Sequence, residues 1–273
     1  MKKMVFLVFV SALLVGCGNN IKKDSLNETE RELYSILPES YAKIGTEHNE
    51  LLADFYFGKE NRADRNTSTN YKDLSVEAYF GEFSERYEFN AFSAQSLKRN
   101  AVDTDCSMAQ EMMEKELISK ESVEYIEQVE AILDNLPDSL EETIDAISNV
   151  ELNSLAILDG EILPEFISYA ETAKSSLEFW SENIELLEGS ENMEARGLLK
   201  NLWNKYKHKL KMMAASDAAG AAAGAVVGYG IGGSTGAAIG ATIVGAASSE
   251  EGFKKDCVCI IIPLTKVQKN INK

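Results

Sequence analysis

Six glycines recur at every fourth position near the C-terminal end of the chain, and this spacing constrains the fold more than any other feature. They are Gly220, Gly224, Gly228, Gly232, Gly236 and Gly240. On an α-helix they form one slowly winding face without Cβ atoms, which another helix can approach closely. Each glycine costs about 1 kcal/mol relative to alanine in a helix interior. The spacing therefore predicts tight packing against another helix, or insertion into a membrane.

The segment around these glycines carries almost no charge. Residues 218–249 contain no charged side chain, and Asp217 is the single charge within 214–249. A bilayer span needs about 20 apolar residues, but this segment is mostly glycine and alanine, so insertion of one lone helix is marginal. A break near 230–234 would give two short arms, Ala218–Tyr229 and Gly236–Ser248. We expect either one glycine-zipper helix or a helical hairpin.

A basic segment directly precedes the glycines. Its cations are Arg196, Lys200, Lys205, Lys207, Lys209 and Lys211. Trp203 and Tyr206 lie among them, and such a basic, aromatic helix is typical of an anionic membrane surface. Alternatively, the lysines pair with acidic groups of the body. A single span of the inner membrane would place these cations outside the cytoplasm, which violates the positive-inside rule. This violation favours a hairpin, regulated insertion, or insertion into the membrane of another cell over a permanent single span.

Residues 27–213 read as an acidic helical bundle that ends in this basic helix. The net charge of the whole chain is −17, which argues against nucleic acid as a partner. Apolar residues recur at intervals of three and four in three stripes, as on one face of a helix. The first stripe is Val123, Ile126, Val129, Leu133 and Leu136, and the second is Leu140, Ile144 and Ile147. The third is Phe166, Ile167, Ala170, Ala173, Leu177, Trp180, Ile184 and Leu187. Capping boxes are predicted at Asn27–Glu30, Ser107–Gln110 and Ser139–Glu142. Together these patterns predict an all-α fold, an antiparallel helical bundle followed by the glycine-zipper segment.

The N-terminus has the order of a lipoprotein signal. Lys2 and Lys3 precede an apolar stretch, Val5–Val15, that is too short to span a bilayer. It ends in Leu14-Val15-Gly16-Cys17, which resembles the lipobox of bacterial lipoproteins. The resemblance implies that residues 1–16 are removed and that Cys17 is acylated, which would attach the chain to membrane lipid. An ordinary secretory signal or a short anchor with an incidental cysteine is the alternative.

In enteric lipoproteins, Asp directly after the acylated cysteine retains the protein in the inner membrane. This chain has Gly18 at that position, so by that rule it is free to reach the outer membrane. We therefore expect the bacterial cell envelope, and the outer membrane over the inner one. Residues 17–26 would be a lipidated tether and 250–273 a C-terminal tail.

Residues 218–249, within the glycine-zipper segment 214–249, are similar to the glycine-zipper segments of bacterial envelope proteins, of some bacteriocins and of contact-dependent antibacterial proteins. The resemblance implies membrane insertion or self-association through the glycines. The helical body resembles uncharacterised helical envelope lipoproteins.

Few residues suggest chemistry. His48 lacks a second histidine four residues away, so we expect a solvated helical histidine rather than a metal ligand. Glu141, Glu142 and Asp145 read as a solvated acidic face. In an oxidising compartment Cys106 could form a disulfide with Cys257 or Cys259, and free thiols are the alternative. We expect no enzyme activity, no cofactor and no metal.

Two functions remain open at this stage. In the first, the glycine zipper mediates membrane association, insertion or self-association, and antibacterial or pore-like activity is one form of it. In the second, the chain is a lipid-anchored soluble binding module whose glycine zipper packs internally as a hairpin. The partners expected are membrane lipid through Cys17 and a second copy of the chain.

Overall fold

The computed structural model describes residues 26–57, 107–114, 116–187 and 199–253. All regular structure in these ranges is α-helical, which confirms the predicted fold class. The helices are α1 (Glu28–Ile36), α2 (Glu39–Ala42), α3 (Ile44–Phe57), α4 (Met108–Glu114), α5 (Lys120–Asp134), α6 (Leu140–Ile157), α7 (Pro164–Leu187) and α8 (Leu199–Phe253). The polar stretch 59–73 and both chain ends lie outside the described residues.

The predicted cap residues start their helices through side-chain hydrogen bonds. Asn27 and Glu30 form a complete capping box at α1, with each side chain bonded to the other's backbone. Ser107 and Ser139 accept hydrogen bonds from the backbone N–H groups of Gln110 and Glu142. These bonds satisfy N–H groups that have no partner inside the helix, so they fix where each helix begins.

Helix α7 is the centre of the bundle. It packs against α3, α5, α6 and α8, and α3 also packs against α8. Its apolar stripe, predicted from spacing, is buried from Phe166 to Ile184, and Trp180 is the largest fully buried side chain among the described residues. Because α7 is covered on several sides, serine, threonine and charged side chains of this helix are also enclosed.

Helix α8 is a hairpin of two helical arms. The helical backbone breaks at Gly232 and Gly233, and Gly233 has a φ of 62°, in the left-handed region that favours glycine. We call residues 199–231 the first arm and residues 234–253 the second arm. Of the two geometries expected from sequence, the hairpin is the one observed. The boundary expected between 213 and 214 falls inside the first arm, which continues through it without a break.

Candidate functional site

The glycine faces of the two arms pack directly against each other. A Cβ atom built on Gly228 would overlap the carbonyl group of Gly236, and one built on Gly224 would overlap the carbonyl group of Gly240. A Cβ on Gly220 would meet Ser248 and the carbonyl oxygen of Val244. Only residues without side chains allow this backbone-to-backbone approach. The arms therefore supply each other with the close helical neighbour that the glycine spacing requires.

The sixth glycine of the series, Gly232, has a different setting. It is exposed in the turn, and a Cβ atom built on it would meet nothing within 4 Å. Its φ of −138° is accessible to other residues. The closed hairpin thus places five of the predicted glycines at the contact between the arms and leaves Gly232 outside it.

A buried carboxylate joins the open end of the hairpin to the bundle. Asp217 accepts hydrogen bonds from Ser176 Oγ at 2.6 Å and Trp180 Nε1 at 3.2 Å, both on α7. Its other oxygen accepts a bond from Ser249 Oγ, on the second arm, at 2.5 Å. We call these residues, with His48, the Asp217 cluster; all are fully buried. A buried charge is tolerated only with such partners, so the cluster fixes both arms relative to α7.

His48 is fully buried, so the expectation of a solvated histidine is wrong. Its Nδ1 lies 3.0 Å from Asn49 Oδ1, while the Asn49 side-chain NH2 donates to the Ser175 carbonyl at 2.9 Å. Because that donation fixes which amide atom is oxygen, Nδ1 must carry the proton. Nε2 lies 3.5 Å from Asp217 Oδ2 and makes no hydrogen bond to any described residue. Helix α3 lies between α7 and α8, and this packing, which spacing alone does not reveal, encloses the ring.

A second buried group of charges, the Lys174 cluster, lies where α7 meets α6 and α1. Lys174 Nζ is 2.6 Å from Glu151 Oε2 and 2.9 Å from Glu171 Oε1, and Tyr34 OH donates to Glu171 at 2.9 Å. Ser148 Oγ lies 3.3 Å from Nζ. All of these residues except Tyr34, which is half-buried, are buried. The cluster holds one cation for two carboxylates in a solvent-excluded environment.

The electrostatics of this cluster follow from its burial. Desolvation raises the pKa of Glu151 well above its ordinary value, although the Lys174 charge opposes that shift. Desolvation alone would lower the pKa of Lys174, but Glu151 and Glu171 outweigh it and raise that pKa above the usual range. Burial, followed by the Glu171 charge, also raises the pKa of Tyr34. Lysine is therefore held in its charged form at this site.

The basic segment contacts the body at several points. Lys211 forms an ion pair with Asp134 of α5 at 2.6 Å, whereas Lys205 Nζ contacts the hydroxyl of Tyr206 within the basic segment itself, at 2.5 Å. Trp203 is buried and donates a hydrogen bond from Nε1 to the Pro137 carbonyl at 3.0 Å. Tyr206 is buried as well. Both aromatic rings thus pack inside the bundle. Lys211 pairs with an acidic group of the body, which was the alternative to a membrane surface.

Several sequence candidates fall outside the part of the chain that the structure describes. These are Cys17, Cys106, Cys257, Cys259 and Arg196, together with the side chain of Lys200. Glu141 and Glu142 are exposed and Asp145 is half-buried at the start of α6, as expected for an acidic face. Within the described ranges, no three His, Cys, Asp or Glu side chains are arranged to hold a metal ion. Among the described helices, none combines the length and apolarity of a membrane span.

The sequence pattern did not predict the buried clusters around Asp217 and Lys174, although each of these residues is an isolated charge in its stretch of the sequence. Asp217 is the single charge in 214–249, and Lys174 is the single Lys or Arg between 121 and 195. A lone charge inside an apolar or oppositely charged segment suggests a buried, partnered group, because an unpaired one would be costly. Glu171 lies three residues from Lys174 on α7, but Glu151 on α6 and the α7 partners of Asp217 come from other helices, so spacing along the chain could not have identified them.

Comparisons of the chain with protein-family models, with curated proteins and with solved structures found no match.

Proposed function

We propose that this chain is a non-enzymatic lipoprotein of the bacterial envelope, held on membrane lipid through acylated Cys17, and that its helical body is a binding module for a protein partner. In this proposal the glycine hairpin is the rigid core of the module. The observation that carries it is the contact between the arms, since Gly228 meets Gly236 and Gly224 meets Gly240 within one chain. The close-packing surfaces of the zipper are thereby occupied.

The polar clusters support the same proposal. Asp217 and Lys174 are bonded to neighbouring helices, and both are enclosed by protein. Groups that satisfy each other in this way hold helices in register, because removing one partner would leave a buried charge unpaired. We assign them a structural role, and we place partner binding on the acidic outer surface of the body.

A second candidate function is release of the hairpin toward a membrane. It is favoured by the absence of charged side chains from residues 218–249 and by the hairpin tip, where Tyr229 is 52% exposed. Tyrosine is a residue typical of membrane interfaces. Each arm within that segment would reach roughly 20 Å at 1.5 Å per residue, which is short of the bilayer core of about 30 Å. The hairpin would therefore enter only partway.

Metabolic labelling with an alkyne fatty acid tests the anchor. We expect the wild-type chain to incorporate the label and Cys17→Ala to lose it. Cys106→Ala is the matched control, because it removes a cysteine outside the lipobox and should retain the label. Labelling of Cys17→Ala at the wild-type level would overturn the lipoprotein assignment.

Flotation with anionic vesicles separates the two candidate functions. The described fold begins at residue 26, so a chain spanning residues 18–273 keeps every described contact. We expect this chain to stay with the soluble fraction. If it floats with the vesicles, and replacing Gly228 and Gly232 with leucine abolishes flotation, the membrane function replaces the binding module.

A further inference from the structure

The contacts between the arms are symmetric about one position of the chain. Gly228 packs on Gly236, Gly224 on Gly240, and Gly220 against Val244. Each pair lies at equal distances on either side of residue 232. An antiparallel pair of identical helices crossing at residue 232 would place the same residues opposite each other. The register of the closed hairpin is therefore also the register of a two-fold symmetric pair of α8 helices.

The two glycines of the turn, Gly232 and Gly233, differ in whether the closed hairpin requires glycine at their position. Gly233, with its φ of 62°, is suited to glycine by its backbone. Gly232 has an ordinary φ and open space around its Cβ position, so the closed hairpin does not require glycine there. Yet Gly232 continues the four-residue spacing from Gly228 to Gly236. Gly232 shares the close-packing face of Gly228 and Gly236 only if residues 228–236 form one uninterrupted helix.

We propose that this face of α8 also binds a second copy of the chain by arm exchange. In the exchanged form Gly232 and Gly233 become helical, α8 runs straight, and the second arm of each copy packs against the first arm of the other. Gly228–Gly236 and Gly224–Gly240 contacts then form between copies, and the two Gly232 residues meet on the two-fold axis. Exchange of an identical element is a low-cost route to a dimer, because the contacts of the closed form are rebuilt.

Buried polar contacts at the open end of the hairpin identify the occupant as a second copy rather than lipid. Ser249 Oγ donates to Asp217 Oδ1 at 2.5 Å, and Ser216 Oγ donates to the Ser248 carbonyl at 2.8 Å. Both bonds join the two arms, and the groups are buried. Opening the hairpin breaks these bonds and leaves Asp217 short of a donor. An identical second arm restores them in register, whereas acyl chains offer no hydrogen bonds.

The exchange concerns the hairpin alone and is independent of Cys17 acylation and of the proposed binding function. It is tested on the chain spanning residues 18–273, in reducing buffer so that cysteines cannot link the copies. The measurement is the dimer dissociation constant from sedimentation equilibrium. Gly233→Ala should lower this constant about tenfold or more, because alanine disfavours the left-handed turn and favours a continuous helix in both copies.

Gly230→Ala is the matched control. It adds the same methyl group three residues away, at an exposed position with open space and no positive φ. We expect its dissociation constant to equal that of the parent. Gly232→Leu, placed on the Gly233→Ala background, should raise the constant again by about tenfold or more, because two leucines would meet where the backbones cross.

Two results would overturn the proposal. One is a folded Gly233→Ala chain that associates no more than Gly230→Ala does, and the other is a Gly233→Ala dimer that persists unchanged with Gly232→Leu. If Gly233→Ala does not fold, the parent and Gly232→Leu are each warmed to the melting midpoint at high concentration and cooled. The parent should then contain more dimer than Gly232→Leu, and equal amounts would contradict the exchange.

Discussion

At the scale of single residues, the fold depends on a few charged groups enclosed at helix junctions. Asp217, on the first arm of α8, accepts hydrogen bonds from Ser176 and Trp180 of α7 and from Ser249 of the second arm. Such a residue is expensive to bury and more expensive to leave without partners. It therefore selects one arrangement of the helices, in which its donors converge.

Asp217→Ala should lower the free energy of unfolding by about 3 kcal/mol or more, because it leaves the Trp180 N–H and two serine hydroxyls buried without their acceptor. Urea unfolding followed by circular dichroism measures the change. Asp134→Ala is the control. Its carboxylate forms an ion pair with Lys211 but is 62% exposed, and such pairs contribute less than about 1 kcal/mol. Equal losses in the two variants would contradict a structural role for Asp217.

At the scale of elements, the hairpin consists of two helical arms that are each weakened by glycine and that stabilise each other. Glycine weakens each arm, and the close contact of the two backbones offsets that cost. The glycine spacing predicted this type of contact, and the hairpin was one of two geometries that the sequence allowed. Sequence could not choose between them, because the choice depends on Asp217 bonding to α7 and to the second arm at once.

Gly228→Ala and Gly230→Ala should have opposite effects on stability. The new methyl group at 228 overlaps the Gly236 backbone, so the arms must separate and the melting temperature falls. At 230 the methyl group enters open space, and the better helix former raises stability by about 0.4–1 kcal/mol. Differential scanning calorimetry of both variants measures the difference. A loss at 230 as large as that at 228 would show that the contact between arms is not the cause.

At the scale of the whole molecule, the net charge does not show which charged groups are exposed to solvent and which are enclosed between helices. The helical stripes, the caps and the all-α class were predicted from spacing, because those features are local. The burial of His48 and Lys174 was not predicted, because it results from contacts between helices far apart in sequence. Charges in an acidic chain thus divide into a solvated face, such as Glu141 and Glu142, and enclosed clusters.

Stability should increase as the pH falls from 8 to 6. Desolvation, followed by the charge of Glu30, raises the pKa of Glu178 from its ordinary value of 4.5 to about 7. Between these two values the folded chain binds more protons than the unfolded chain, so raising the pH through this window lowers stability. Glu178 is itself exposed, so solvent screens the effect and we expect a modest slope. Melting temperatures measured across this range would record it.

Glu178→Gln provides the control for the pH experiment. It removes the titrating carboxyl group while keeping the size of the side chain, so the dependence of melting temperature on pH between 6 and 8 should become flatter. An unchanged slope in Glu178→Gln would assign the effect to other groups. Glu30 and Glu47, whose pKa values are raised by burial, are the next to test.

The distance between the two arms of α8 distinguishes a closed hairpin from a continuous helix. With the four native cysteines replaced by serine, spin labels at Lys209 and Ile239 can be measured by double electron–electron resonance, with excess unlabelled chain to suppress signals between copies. In the hairpin, Ile239 lies level with residue 225, so the labels should be about 24 Å apart along the axis. A continuous helix would separate them by about 45 Å, and a distribution centred there would contradict the internally packed hairpin.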